Sequence, residues 1–71
     1  MKVSELLRVI SYDTIIAIVD AKAVGCKTNP GRCTLHEDYK PQINERYGEY
    51  EVEEIGIATK KKLYVWVRKN G

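Results

Sequence analysis

Two cysteines and the only histidine of this chain lie within an eleven-residue segment, at Cys26, Cys33 and His36. Thiolate and imidazole are the side chains that zinc binds most readily. A domain of this size buries only about 60% of the surface of its unfolded chain, so it often needs a metal, a disulfide or a partner for stability. The cluster therefore predicts a structural Zn²⁺ ion that holds the middle of the chain together.

A structural zinc site has four ligands, and the spacing Cys-x6-Cys-x2-His supplies three of them. We expect Asp38 to be the fourth, because its carboxylate follows His36 closely along the same loop. Glu37, Asp20, a water molecule or a neighbouring chain are the alternatives.

The alternative to a metal is that Cys26 and Cys33 are small buried residues or form a disulfide, with His36 on the surface. The N-terminal residues are acidic and amphipathic rather than typical of a secretory signal, and no apolar run is long enough to span a membrane. We therefore expect a cytoplasmic protein, and the reducing conditions there favour a metal over a disulfide.

The apolar pattern predicts one α+β domain over residues 1–71. Apolar residues recur at helical spacing near the N-terminus and predict a short helix with Ser4 as its N-cap. These residues are Val3, Leu6, Leu7 and Ile10. Residues 14–19 are mostly β-branched or apolar, which is typical of a buried strand.

The middle of the chain contains turn and helix signals. Residues 28–31, Thr-Asn-Pro-Gly, favour a turn in a short hairpin or knuckle that brings Cys26 and Cys33 together. Pro41 suits the first turn of a short helix over residues 42–47, which Gly48 can end.

The last two strands form a predicted antiparallel hairpin. The alternation at Tyr50 and Val52 changes parity before Ile55, which predicts a bulge at residues 53–54. After a turn at residues 58–62, apolar and other side chains alternate to residue 68. We expect a small antiparallel sheet of three to four strands, with the N-terminal helix packed on one face and a zinc-bound loop.

Charge is unevenly distributed along the C-terminal half. Seven acidic side chains lie in residues 37–54, whereas residues 55–71 carry five basic ones and no acid. The simplest explanation is ion pairing within the chain. A functional explanation is an acidic surface that competes for a nucleic-acid-binding region on another protein. The candidate partner-binding residues are Glu45, Glu49, Glu51, Glu53 and Glu54.

The aromatic residues of the last strand suggest another possibility. Tyr64 and Trp66 share one face with Arg68, and the Lys60–Lys62 turn lies nearby in sequence. If that face is uncovered, it can stack single-stranded bases. Otherwise the patch packs against the central helix or the zinc-bound loop, which is the interpretation we favour for Trp66, whereas Tyr64 stays open. No phosphate-binding glycine loop or serine nucleophile motif is present, so the sequence does not predict an enzyme.

The helix, the first strand and the last hairpin together resemble very short proteins encoded by phages and prophages of Gram-positive bacteria. The segments concerned are Val3-Ser4-Glu5-Leu6-Leu7, Ile15-Ile16-Ala17-Ile18-Val19-Asp20, Glu51-Val52-Glu53-Glu54-Ile55 and Leu63-Tyr64-Val65-Trp66-Val67. Some proteins of this kind are anti-CRISPR inhibitors, and at least one kind binds a metal. The Cys26–His36 segment departs from the commoner members.

This resemblance implies a non-enzymatic phage protein that binds a type II RNA-guided DNA endonuclease and blocks DNA engagement in the host cytoplasm. The acidic segment would then contact a basic region of the nuclease. One alternative is a nucleic-acid-binding module that uses Tyr64, Trp66 and the Lys60–Lys62 turn. Another is an accessory protein that oligomerises through an exposed edge strand.

Overall fold

The computed structural model describes residues 1–69 as an α+β fold with two helices and a four-stranded sheet. The helices are α1 (Val3–Leu6), followed by a 3₁₀ turn at Leu7–Val9, and α2 (Lys40–Tyr47). The strands are β1 (Ile15–Asp20), β2 (Thr34–Asp38), β3 (Glu51–Thr59) and β4 (Lys62–Arg68), and a 3₁₀ turn at Pro30–Cys33 precedes β2.

The sheet has the strand order β2-β1-β4-β3 and is mixed. The β1–β2 and β3–β4 pairs are antiparallel, but β1 and β4 are parallel, with Ile16 beside Leu63 and Ile18 beside Val65. The expectation of a purely antiparallel sheet is therefore wrong. α2 connects β2 at one edge of the sheet to β3 at the other edge. The chain then returns along β4, which pairs with β1. The expected bulge is confirmed as a register shift between Val52 and Glu54.

The first core lies between the helices and one face of the sheet. Its fully buried side chains include Ile16 and Ile18 of β1, Val65 of β4 and Ile43 of α2. Burial of each such side chain stabilises the fold by about 1.5–3 kcal/mol. The N-terminal helix packs here as expected, because Val3, Leu6 and Leu7 are all buried in this cluster.

The N-terminal helix begins two residues earlier than an N-cap at Ser4 would place it. The backbone N–H of Lys2 donates to the Glu5 carboxylate at 2.8 Å, so Lys2 is the N-cap residue and Ser4 is not. Ser4 instead lies inside the helix and its N–H donates to the Gly48 carbonyl at 3.0 Å. The second helix is confirmed, with Pro41 in its first turn, although it begins at Lys40 and not at residue 42.

The second core lies on the opposite face and is covered by the loop at residues 21–33. Val19, Cys26 and Trp66 are buried in this cluster, and Cys33 and Tyr64 pack against it. Trp66 Nε1 donates to the Cys26 carbonyl at 2.9 Å, which attaches the loop to the sheet. The hairpin expected around residues 28–31 is wrong, because residues 21–28 form turns and β2 pairs with β1. The loop nevertheless brings Cys26 and Cys33 into one cluster, as expected.

Gly56 of β3 lies directly against the ring of Trp66. A Cβ atom at this position would be 2.9 Å from Trp66 Cζ3 and 3.1 Å from Cη2, which is closer than side chains pack. We therefore expect Gly56→Ala to lower the free energy of unfolding by about 1–3 kcal/mol, measured by urea denaturation.

Gly31→Ala is the matched control. Its added Cβ would be 3.8 Å from the Tyr64 hydroxyl, an ordinary contact, so its effect should stay within about 0.5 kcal/mol. Equal stability of the two variants would contradict the packing of Trp66 against β3.

Candidate interaction surfaces

The two cysteines lie together beneath the loop on the second face of the sheet. Cys26 is buried, and its thiol donates to the Ala21 carbonyl at 3.5 Å. Cys33 is partly exposed, and its thiol lies 3.7 Å from the Val24 carbonyl. Both thiols are free and pack in the same apolar cluster.

His36 and Asp38 lie on the opposite face of the sheet from the cysteines. His36 pairs with Ile18 of β1, whose side chain belongs to the first core, and its ring is 6.1 Å from that of Tyr47 in α2. Its Nε2 atom is 3.4 Å from a carboxylate oxygen of Asp38. The cysteines pack with Val19, the next residue of β1, whose side chain points the other way.

The proposed ligand set of Cys26, Cys33, His36 and Asp38 therefore does not fit a single ion in this arrangement. Within residues 1–69, no group of three or more Cys, His, Asp or Glu side chains is placed to hold a metal. The sequence spacing missed this because residue 34 begins a strand, and side chains in a strand alternate between faces. The zinc ion itself stays a prediction.

Metal content tests this prediction together with the placement of His36. If purified protein carries zinc through its cysteines, Cys33→Ser should release it, whereas His36→Ala should leave the zinc content unchanged because that ring lies across the sheet. Elemental analysis of the two variants gives the answer. Loss of zinc from both variants would contradict the separation of the two pairs of residues.

Most of the acidic candidates are in ion pairs with other parts of the chain. The pairs are Glu49 with Lys2, Glu51 with the N-terminal amine, Glu53 with Arg68 and Glu54 with Lys27. Glu45, exposed on α2, is the fifth candidate and forms no ion pair in the described residues. Exposed pairs of this kind each contribute only about 0.2–1 kcal/mol, but they reduce the negative charge that a partner meets. The role of these carboxylates in partner binding stays a prediction.

The charges that remain unpaired are mainly positive. Over residues 1–69, eight of the twelve basic side chains form no ion pair with a carboxylate. They are Arg8, Lys22, Arg32, Lys40, Arg46, Lys60, Lys61 and Lys69. The sequence suggested an acidic surface, but ion pairs neutralise most of the acidic segment. The unpaired charge on the described surface is therefore mainly positive.

Two local contacts shift side-chain pKa values. The Ser11 hydroxyl donates to the Asp13 carboxylate and lowers the pKa of Asp13. Glu37 accepts from Lys62 across the sheet and raises the pKa of Lys62. Both shifts favour the charged forms, so these groups stay ionised at neutral pH.

Trp66 does not provide the stacking surface that the nucleic-acid alternative requires. Its side chain is only 6% exposed beneath the loop, as we favoured from the sequence. Tyr64 is partly buried beside it, with ring centroids 5.8 Å apart. Lys62 is paired with Glu37, so only Lys60 and Lys61 remain free in that turn.

The outer edge of β3 is an exposed surface of a different kind. β3 is an edge strand of nine residues. Among residues 1–69, its outer side is covered only at its start, where the Val52 N–H donates to the Met1 carbonyl at 2.8 Å. Ile57 is 81% exposed and Ile55 is 43% exposed. Ile55 and Ile57 pair with Val65 and Leu63 and point to the helix side of the sheet, but α2 packs over β1 and β2 and leaves this edge exposed.

A third feature is a groove between α1 and α2, which was not predicted from the sequence. It has a volume of about 640 Å³ and includes Arg8, Tyr12 and Lys40 in its wall. The available signal was Tyr12, a large aromatic residue at the break between the helix and strand patterns. The three residues are separated in sequence, and only the packing of α2 beside α1 brings them together.

Comparison with known proteins gave no relative: no family model, no curated protein and no solved structure matched this chain. None of the helices in residues 1–69 has the length and apolar character needed to cross a membrane.

Proposed function

We propose that this chain is a non-catalytic interaction protein and that its interaction surface is the outer edge of β3. The observation that supports this proposal is Ile57, an isoleucine 81% exposed on an edge strand. Beyond Val52, no segment in the described part of the chain pairs with the outer backbone groups of this strand. Folded proteins usually protect such edges, because unpaired backbone groups readily bind another strand. Strand addition is a common mode of protein recognition.

The order of charges along β3 favours a second copy of this chain as the partner. Two β3 strands can pair antiparallel about a two-fold axis at Ile57, which places the two Ile57 side chains against each other. In this register, Glu54 of one copy approaches Lys60 of the other, which is the first residue of the turn after β3. Both residues are exposed and opposite in charge, and Glu54 would exchange its ion pair with Lys27 for one with Lys60. The two sheets would then form one continuous sheet of eight strands.

Only one strand from each copy takes part, so the interface is small and the association should be weak. The register shift between Ile57 and Thr59 also twists the end of the edge, which limits the length of the pairing. A reversible dimer, populated at high chain concentration, is the form that this edge supports.

Light scattering and sedimentation equilibrium test the proposal. We expect a mass that rises from about 8 kDa toward twice that value between micromolar and millimolar chain concentrations. Ile57→Lys should keep the chain monomeric over this range. Val24→Lys is the matched control, because Val24 is fully exposed in the loop on the other face.

A charge exchange tests the register. Glu54→Lys alone and Lys60→Glu alone should each weaken self-association, because each variant places like charges opposite one another. A mixture of the two variants should form a heterodimer in which both pairs are again opposite in sign. The proposal would be overturned if the wild-type protein stays monomeric at millimolar concentration. It would also be overturned if the mixture of the two variants associates no more strongly than each variant alone.

Inhibition of a type II RNA-guided nuclease, which the sequence resemblance implies, stays a prediction. Its support is the resemblance alone, because the acidic segment is largely paired within the chain. A DNA-cleavage assay with a purified nuclease tests it directly, and Glu45→Lys is the variant that changes the one candidate carboxylate outside these pairs.

A further inference from the structure

The groove between α1 and α2 has the size and lining of a small-ligand site. Its volume of about 640 Å³ is within the range of roughly 300–1,000 Å³ that is usual for ligand pockets. Leu7 and Pro41 supply apolar contacts, and Ser4 and Asn44 supply groups that can form hydrogen bonds. The groove is open to solvent on one side, so a ligand or a longer strand can enter without rearrangement.

The electrostatic character of the groove is positive. Arg8 and Lys40 both line it, and none of the carboxylates in residues 1–69 does. Neither cation forms an ion pair within residues 1–69. Lys40 is held in place, because its Nζ donates to the Ile10 carbonyl at 2.6 Å. An ammonium group has three donors, so at least one remains for a ligand beside this bond and the contact with the Tyr12 ring.

Tyr12 provides a planar surface beside the two cations. Its side chain is 74% exposed, and Lys40 Nζ lies 4.3 Å from the centroid of its ring. The cation–π contact fixes the ring next to the positive charge while most of the ring remains accessible. A ligand that fits must therefore carry a negative group and a flat apolar group a short distance apart.

We propose that this groove binds a nucleotide, with its phosphate on Arg8 and Lys40 and its base stacked on Tyr12. Guanidinium and ammonium groups are the usual protein partners of phosphate, and base–aromatic stacking accepts any base. The nucleotide can be free or can be one unit of a single strand.

A single strand would have a path beyond the groove. The Lys61 carbonyl accepts from the N–H of Ile15, which places the β3–β4 turn beside the segment that follows Tyr12. Lys60 and Lys61 are both exposed in that turn and free of ion pairs in the described residues. This site is separate from the outer edge of β3 between Ile55 and Ile57, and the proposal does not depend on dimerisation.

NMR titration of the full chain tests the proposal with four probes: adenosine monophosphate, a short single-stranded DNA of mixed sequence, inorganic phosphate and a glutamate-rich peptide. We expect the first or the second to shift the amide signals of Arg8, Tyr12 and Asn44. Binding of the mononucleotide identifies a nucleotide pocket, whereas binding of DNA alone identifies a single-strand site. For DNA, the affinity should also fall steeply with salt.

Two variants and a matched control assign the contacts. Arg8→Gln should weaken binding by roughly tenfold, as loss of one charged phosphate contact does. Tyr12→Leu should weaken nucleotide binding but leave the weaker binding of inorganic phosphate unchanged. Arg32→Gln is the control, because Arg32 is also exposed and unpaired in the described residues but belongs to the loop on the other face.

Several outcomes would overturn the proposal. These are an equal loss in Arg32→Gln and Arg8→Gln, phosphate binding as tight as nucleotide binding, preferential binding of the glutamate-rich peptide, or no shift with any probe. Ile57→Lys should bind the nucleotide normally, which separates this proposal from that on the edge of β3.

Discussion

The burial of Trp66 is the interaction on which the rest of the structure depends. The two helices cover only one face of the sheet, and a chain of this size cannot leave the other face in water. The loop at residues 21–33 covers it because the Trp66 Nε1–H binds the Cys26 carbonyl at 2.9 Å and the ring lies against Gly56. One side chain thereby joins β4, β3 and the loop, and the positions of both cysteines follow from it.

Ion pairing decides which surfaces can meet a partner. The acidic residues around the start of β3 neutralise the N-terminus, Lys2, Lys27 and Arg68, which fastens distant parts of the chain to the sheet. What remains is an apolar strand edge on one side of the molecule and a positive groove between the helices on another. The strand edge suits a second strand, and the groove suits a phosphate-bearing ligand. Each surface can therefore bind its partner without blocking the other.

Much of the local structure could be predicted from the sequence. Three predicted features are present, and each depends only on neighbouring residues. They are the apolar stripe of the N-terminal helix at Val3, Leu6 and Leu7, the start of α2 near Pro41, and the bulge after Val52. The candidate metal site could not be predicted in the same way. Its four residues are close in sequence, but the start of β2 at Thr34 places His36 and Asp38 across the sheet from Cys26 and Cys33.

The sequence by itself indicated where the two helices and the strands β1, β3 and β4 form, because periodicity and turn chemistry act over a few residues. It did not indicate β2, which lies where a hairpin was expected. Only the tertiary structure decided that β1 and β4 are parallel, that Trp66 is buried and that Ile57 is not. The physical reason is that each of these features depends on which distant segment covers a given face. Residues 21–33 cover Trp66, α2 covers Ile18, and no described segment reaches Ile57.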